Sequence, residues 1–130
     1  MSTWKKIDPG WKWDDTFIFS QAVQIDNTIY LSGQVALDPD GNVVGKGDMK
    51  AQTRQAWENI KAVLGAAGAS LKDVVKITQF ITDMSRFRET QEVRKEYLTD
   101  PSPAATTVEV KSLAFPDLLI EIEVVAVKPS

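Results

Sequence analysis

One amphipathic segment constrains the fold of this 130-residue chain more than any other feature. Between Asp48 and Ala67, apolar and small side chains recur at helical spacing and form one stripe: Met49, Thr53, Ala56, Trp57, Ile60, Val63, Leu64 and Ala67. Asp48 suits the N-cap of this helix, and Gly68 suits the position after its last turn. Gly65 costs the helix about 1 kcal/mol relative to alanine, which tight packing would explain. A helix with one apolar stripe must bury that stripe against another layer of structure.

Two segments before this helix are rich in the side chains that strands prefer. Strands are predicted over residues 16–25 and 28–37 from their β-branched and aromatic content. They form a hairpin around the turn at residues 26–27, and Asp-Pro-Asp-Gly at 38–41 forms a second turn. Gly33 interrupts the second strand, which indicates either a bulge or a close approach by another group.

Beyond the helix, the chain contains three further strands and a second helix. Residues 74–82 are predicted as a central strand because they are apolar on both faces. The apolar side chains divide into Val75, Ile77 and Ile81 on one face and Val74 and Phe80 on the other. A helix is expected over residues 85–98 and ends before the prolines of residues 100–103. Strands follow at about residues 104–111 and 118–127.

The element order β-β-α-β-α-β-β predicts an α+β fold. In this fold, a two-layer sandwich, a mixed sheet carries both helices on one face. Residues 1–15 are interpreted as an N-terminal arm and residues 16–130 as a single domain. Valine and isoleucine occupy both phases of the last strand, so the second face of the sheet is expected to need cover. Partner subunits are the obvious cover, and three copies could close a barrel-like core.

The composition limits the chemistry that the chain can perform. It contains no cysteine and no histidine. This excludes disulfides, thiol nucleophiles and the side chain that most often acts as a general base near neutral pH. No metal site is predicted, because the spacing of Asp38 and Asp40 is not that of a calcium loop.

The charge pattern and hydropathy limit the partners. A net charge of −3 with scattered lysines and arginines argues against nucleic-acid binding. No apolar run approaches the ~20 residues that cross a membrane, so no membrane partner is expected. The N-terminus has no apolar stretch suited to a signal peptide, and a chain without cysteine fits a cytoplasmic location.

Four segments occur together at a specific spacing. They are YLSGQVALDPDGNVV, QTRQAWENIKAVLGAAGASLKDVVKITQFITDM, PAATTVEV and IEIEVVAV. This combination, from about Phe17 to Val127, resembles the Rid family, the reactive intermediate deaminases also called the YjgF family. The resemblance implies a chorismate-mutase-like fold, a homotrimer with small-molecule ligand clefts between subunits, and no cofactor. The best-known members hydrolyse enamines and imines, such as 2-aminoacrylate, to a 2-oxo acid and ammonia.

The resemblance also implies roles for individual residues. Deaminase members carry an arginine after the Pro-Ala of the fourth strand that binds the substrate carboxylate, and that position is Ala105 here. The glutamate that positions the attacking water corresponds to Glu121. The implied substrate-binding residues are Phe19, Ser32, Gly33, Gln91, Ala105, Thr106 and Thr107. Phe19 replaces the usual tyrosine, Gly33 would present its backbone N–H to the ligand, and one of the two threonines is expected to face the cleft.

The charged residues also allow simpler interpretations. Glu121 and Glu123 point to the same face of their strand and could be solvated carboxylates. A buried Glu121 without a nearby arginine would instead have a raised pKa, which suits proton transfer near neutral pH. All the arginines are predicted on helices, where surface salt bridges are their usual role, although one of them could reach a cleft: Arg54, Arg86, Arg88 and Arg94.

Three functions are compatible with these observations to different degrees. The first is an enamine or imine deaminase whose substrate choice is altered by Ala105, and the retained Glu121 favours it. The second is a non-catalytic trimer that binds a small metabolite in the same clefts, and the loss of the arginine favours it. The third is the ribonuclease activity sometimes ascribed to the family. The absence of histidine, the negative charge and the lack of an aromatic-basic surface argue against it.

Overall fold

The computed structural model describes residues 3–13 and 17–129, which form one mixed sheet with two α-helices on one face. The strands are β1 Lys5–Ile7, β2 Ala22–Ile25, β3 Thr28–Leu31, β4 Gln34–Val35, β5 Val74–Ile81, β6 Ala104–Glu109 and β7 Ile120–Val127, and the helices are α1 Met49–Ala66 and α2 Phe87–Tyr97. The strand order is β1-β2-β3-β7-β5-β6, and β4 also pairs with β7. Strands β5 and β6 are parallel, while the other described pairs are antiparallel. The predicted fold class is confirmed.

Helix α1 has the ends and the buried face that its sequence predicts. The Asp48 carboxylate accepts a hydrogen bond from the Ala51 N–H at 3.0 Å, which caps the first turn. Gly68 adopts φ +75° just after the helix, a conformation that side chains disfavour. All eight residues of the predicted stripe are buried. The stripe packs on the sheet and supplies seven of the 19 residues of the hydrophobic core.

The glycine inside α1 lies in open space. A Cβ built on Gly65 would have no atom within 4 Å, so the expected tight packing is wrong for this residue. We expect Gly65→Ala to raise the free energy of unfolding by about 0.5–1 kcal/mol, because alanine restricts the unfolded chain. Denaturant unfolding measures the change. The matched control is Gly68→Ala, which should destabilise because of its positive φ. Destabilisation by Gly65→Ala would show that another surface contacts this position.

The core lies between the helices and the two central strands, β5 and β7. Their inward side chains are fully or almost fully buried: Val74, Ile77, Gln79 and Ile81 from β5, and Ile120, Ile122, Val124 and Ala126 from β7. The opposite side of the sheet, here called the open face, carries apolar side chains that are exposed or half-buried: Val23, Ile25, Tyr30, Phe80, Val108, Val125 and Val127. The helices thus cover one face and leave an apolar surface on the other.

Two ion pairs connect the exposed sides of the helices. Lys50 of α1 contacts Glu92 of α2 at 2.6 Å. Four residues later, Arg54 makes two hydrogen bonds to the Glu96 carboxylate, at 2.8 and 3.0 Å. These groups are solvent-exposed, so each pair adds little stability. Their common spacing of four residues matches the register of α2 along α1.

Several strand boundaries differ from the prediction. The strand expected at 16–25 is confined to Ala22–Ile25, because residues 17–19 form a bend; Thr16 lies outside the described residues. Lys5–Ile7, assigned to the arm, pairs with β2 as an edge strand. Asp14 and Asp15 of that arm also lie outside the described residues. A register shift between Val74 and Lys76 turns Val74 into the core and leaves Val75 48% exposed. The predicted facing of those two valines is therefore wrong, because a bulge breaks the period of two.

The second helix is shorter than predicted. A 3₁₀ turn at Met84–Arg86 precedes α2, and Leu98 is its C-cap. Val93 is its buried apolar residue, whereas Phe87 remains 36% exposed. No helix within residues 3–13 and 17–129 combines the length and the apolar character that spanning a bilayer requires.

Candidate active site

Glu121 lies on the open face of β7, between the cross-strand neighbours Val35 of β4 and Phe80 of β5. It is half-buried, and neither a cation nor a hydrogen-bond donor of the described chain contacts its carboxylate. Burial raises the pKa of Glu121, and the negative charge of Glu123 raises it further. Glu123 itself is exposed beside Thr78. The site therefore contains a carboxyl group that takes up a proton more readily than an ordinary glutamate.

Gly33 forms both a bulge and the wall against which Glu121 packs. Between Tyr30, which pairs with Val125, and Gln34, which pairs with Ile122, the chain has one residue more than β7 opposite. A Cβ on Gly33 would overlap the Glu121 side chain, at 2.5 Å from Cδ and 2.6 Å from Cγ. A bulge and a close approach by another group, the two alternatives predicted for Gly33, therefore occur together, because the bulge brings the Gly33 backbone against the Glu121 carboxylate.

We expect Gly33→Ala to move the Glu121 carboxylate out of its half-buried position. The overlapping atoms belong to a flexible side chain, so the side chain should rotate into solvent at a stability cost of about 1 kcal/mol or less. The pKa of Glu121 should then fall toward its ordinary value. Titration of the Glu121 carboxyl by NMR measures this change. In a double-mutant cycle with Glu121→Ala, the stability cost should disappear. An unchanged pKa together with zero coupling would contradict the close approach.

Ser32 directly precedes this glycine, and its hydrogen bonds bring the segment after Phe19 beside it. The Ser32 hydroxyl donates to the Ser20 carbonyl at 2.6 Å, and the Ser32 N–H donates to the Gln21 carbonyl at 2.9 Å. These bonds hold the segment that carries Phe19 against the bulge. Phe19 is 45% exposed and begins a row of rings that continues through Phe17 and Trp13 to Trp11. Phe115 contacts Phe17 from the side, and the ring centroids in this group are 5.6–6.2 Å apart. An aromatic surface therefore adjoins the Gly33–Glu121 group.

Three of the remaining predicted residues, Ala105, Thr106 and Thr107, lie on the edge strand β6 and alternate between its two faces. Ala105 is the register partner of Ile77, and Thr107 is the partner of Gln79. Because β5 turns Ile77 and Gln79 toward the helices, Ala105 and Thr107 face that side as well. Thr106 points to the open face, where its hydroxyl accepts a hydrogen bond from the Lys76 Nζ at 2.9 Å. The two threonines thus belong to opposite surfaces.

A buried polar network adjoins Thr107. Gln79 is fully buried, and its Nε2 donates to the Thr90 hydroxyl at 3.0 Å and to the Thr107 hydroxyl at 3.4 Å. Gln91 Nε2 also donates to Thr90, at 3.4 Å, and Arg94 Nη2 donates to Gln79 Oε1 at 3.2 Å. These five residues are called the Gln79 network below. Gln91 and Thr107, both predicted as substrate-binding, are brought together by it.

The sequence patterns did not predict Gln79 and Thr90 as site residues, and they gave Arg94 no specific role. A signal for them was present: Gln79 interrupts an otherwise apolar central strand, and Thr90 and Arg94 lie one helical turn apart on α2. A buried amide in such a strand needs partners from the facing helix. The spacing of residues 90 and 94 supplies them, but the register that aligns α2 with β5 cannot be read from spacing alone.

Within one chain, the predicted site residues form two separate groups. Glu121, Gly33, Ser32 and Phe19 lie at the open face and its strand ends, while Gln91, Ala105 and Thr107 lie on the helix side of β5 and β6. Each group is called a half-site below. One contains a carboxyl group that can exchange protons, and the other contains hydrogen-bond donors and acceptors. In the described residues, no cluster of three or more acidic side chains could hold a metal ion.

Comparisons with known proteins agree on one group of relatives. Residues 15–128 match the protein family described as endoribonuclease L-PSP. A RutC family protein of Pyrococcus horikoshii is 47% identical over 110 residues, covering 85% of this chain and 86% of the relative. A 2-iminobutanoate/2-iminopropanoate deaminase of Dermatophagoides farinae is 40% identical over 109 residues, covering 84% of each chain. The crystal structure of RidA from an Antarctic Psychrobacter is 37% identical, with a TM-score of 0.82 over 98% of this chain and all of that one.

Proposed function

Since this chain belongs to the Rid (YjgF) family, we propose that it is a cofactor-independent hydrolase that converts a reactive enamine or imine into a carbonyl compound and ammonia. The observation that carries the proposal is Glu121: a half-buried carboxyl with a raised pKa, held against Gly33 and free of any ion pair with the described residues. A raised pKa brings the carboxyl closer to neutral pH, which favours both accepting and returning a proton. Two relatives named 2-iminobutanoate/2-iminopropanoate deaminase add support.

The reaction needs one water and one group that moves protons. The reacting form is the protonated imine, the iminium. The oxygen of water bonds to its carbon, the C=N π electrons move to nitrogen, and the Glu121 carboxylate takes one water proton, which leaves a neutral carbinolamine. Glu121 then gives that proton to the amino nitrogen, the C–N bond breaks to release ammonia, and the hydroxyl proton passes to the Glu121 carboxylate and on to solvent, so that the oxygen remains on carbon as the carbonyl. An enamine first takes a proton on carbon, which gives the same iminium.

We also propose that the active site is completed between copies of a homotrimer. The two half-sites lie on opposite faces of one sheet, so a second copy is needed to bring Ala105 and Gln91 to Glu121. The apolar open face, with Tyr30, Val108 and Val127 exposed, supports burial against partner subunits. Sedimentation equilibrium tests this arrangement, and a monomer at micromolar concentration would contradict it.

Imine hydrolysis is the direct test. An amino-acid oxidase produces imines from a panel of amino acids, and release of the 2-oxo acid is followed with and without the protein. We expect an acceleration of at least about tenfold for one or more imines. Gly33→Ala, in which Glu121 is displaced, is the matched inactive control. No acceleration with any imine would overturn the catalytic proposal.

One observation favours a non-catalytic alternative. Ala105 leaves the position of the family arginine without charge, so a small acid would lose a bidentate contact there. A trimer that binds a metabolite without turning it over would then be expected to bind 2-oxo acids and to show no hydrolysis. A ribonuclease is not supported, because the net charge is −3 and no histidine is present.

A further inference from the structure

Arg94 differs from the arginines that form surface ion pairs. Arg54 pairs with Glu96, and Arg86 pairs with Glu89. Arg94 is largely buried, and none of its contacts with the described residues is to an acidic side chain. Its one side-chain hydrogen bond, to Gln79, uses a single donor of a guanidinium that has five. Its Nε is buried and has no hydrogen-bond partner in the described chain. A charge in this state is rarely retained without a partner.

The guanidinium borders a cavity beside Ala105. This cavity has a volume of about 250 Å³, and Ile77, Gln91, Arg94 and Pro103 are part of its lining. Ile77 is the register partner of Ala105, and Pro103 precedes β6 by one residue. The cavity therefore opens at the edge where Ala105 leaves room, on the same side of the sheet as the Ala105 and Thr107 side chains.

All the charged side chains in the lining of this cavity are positive. Its lining includes two cations, Arg94 and Lys95, and no acidic side chain. The remaining residues are apolar or neutral. An anion that enters would thus meet uncompensated positive charge in a partly dehydrated site, where a charge-assisted hydrogen bond is strong.

We propose that Arg94 supplies the carboxylate anchor that position 105 lacks, so that the ligand of this chain is a 2-imino acid or its 2-oxo acid product, bound by a guanidinium that α2 rather than β6 provides. This inference rests on the proposed function for the identity of the ligand. Gln79 is a positioning residue, because its Oε1 holds Arg94 Nη2 while its Nε2 reaches Thr107. Gln91, which lines the same cavity, adds an amide for the ligand's polar end.

Binding of a stable acid tests the anchor independently of catalysis. The probes are 2-oxobutanoate and its neutral analogue 2-oxobutanamide, measured by calorimetry on the full chain. We expect the acid to bind at least about tenfold more tightly than the amide. Arg94→Gln should lower the affinity for the acid by roughly 10- to 100-fold and leave the affinity for the amide unchanged. Arg88→Gln is the matched control, because Arg88 is an exposed arginine of α2 outside the cavity lining, and it should change the affinity for the acid by less than about threefold.

A double variant that moves the guanidinium from position 94 to position 105 gives a sharper test of the anchor. Adding Ala105→Arg to Arg94→Gln should restore at least about tenfold of the lost affinity, because it returns a guanidinium to the same side of the sheet. If Arg94→Gln fails to fold, the wild-type protein still decides the question, since 2-oxobutanoate should shift the Arg94 Nε–H resonance and 2-oxobutanamide should not. Equal affinity for acid and amide, or an unmoved Arg94 resonance, would overturn the anchor.

The two proposals fail separately. Tight, Arg94-dependent binding of 2-oxobutanoate without any imine hydrolysis would support the anchor and overturn the deaminase function. Hydrolysis of imines that is unaffected by Arg94→Gln would support the deaminase function and overturn the anchor.

Discussion

Replacing Glu121 by glutamine is expected to lower kcat/KM for imine hydrolysis by at least about 100-fold, the usual contribution of a proton-transfer group. Glutamine keeps the size of the side chain and its contact with Gly33 but can neither take nor return a proton. The same change should raise the free energy of unfolding near neutral pH, because it removes a charge from a half-buried position. One substitution should therefore separate activity from stability.

The sign of the stability change depends on pH. Burial raises the pKa of Glu121, so the folded chain keeps the proton at pH values where the unfolded chain has lost it. The stability contributed by that proton is present below the unfolded pKa and disappears as pH rises through the folded pKa. The gain from Glu121→Gln should be absent below the unfolded pKa, grow as pH rises between the two pKa values, and be complete above the folded pKa. It should be about 1 kcal/mol at most, because the side chain is only partly buried and solvent screens its charge.

Denaturant unfolding of wild type and Glu121→Gln, at acidic and at neutral pH, measures both predictions together with the hydrolysis rate. Glu123→Gln is the matched control, since Glu123 lies two residues away on the same face but is exposed. It should retain most of the activity. Full activity of Glu121→Gln, or equal losses in both variants, would contradict the assignment of the proton-transfer group.

Replacing Trp57 by alanine is expected to lower the free energy of unfolding by about 3–5 kcal/mol, a large part of the roughly 5–15 kcal/mol of a typical domain. Trp57 is completely buried on the stripe of α1, and its ring stacks on Tyr97 of α2 with centroids 6.2 Å apart. Its removal leaves a cavity where both helices meet the sheet. Equilibrium unfolding in denaturant measures the loss.

Two controls make this prediction specific. Trp57 Nε1 has no hydrogen-bond partner within the described residues, so Trp57→Phe loses volume without breaking a polar contact. It should cost clearly less than the alanine variant. Trp4→Ala removes the same side chain from a site that is 47% exposed and should change stability by about 0.5 kcal/mol or less. A cost for Trp57→Ala as small as that for Trp4→Ala would contradict the central role of this side chain in the core.

Where local chemistry specifies structure, the sequence was sufficient. The α1 stripe, its Asp48 cap and its Gly68 stop depend on residues within a few positions of each other, and each was predicted correctly. The hairpin of β2 and β3 was also predicted, because a tight turn joins its strands. The start of β2 and the facing of Val75 were not. A bend at residues 17–19 and a bulge in β5 break the strand period at points that the local pattern does not mark.

The candidate site shows the same difference between what local patterns predict and what long-range packing decides. The resemblance to the family was enough to name Glu121, Gly33, Gln91 and Ala105 as candidates, and their roles stay predictions. The close approach of Gly33 to Glu121 depends on a bulge and on the pairing of β4 with β7, which join residues far apart in the chain. The division of Thr106 and Thr107 between two faces depends on the register of β6 against β5.

By itself, the sequence determined the order of the main elements, the two-layer architecture, the family and the alanine at position 105, since these depend on period, local caps and residue identity. Only the tertiary structure decided that the site residues fall into two half-sites, and that Arg94 lies beside Gln79 with no acidic partner among the described residues. The physical reason is that strand register and helix placement are set by packing over the whole core. A change of one residue in register would turn every side chain of a strand to the other face.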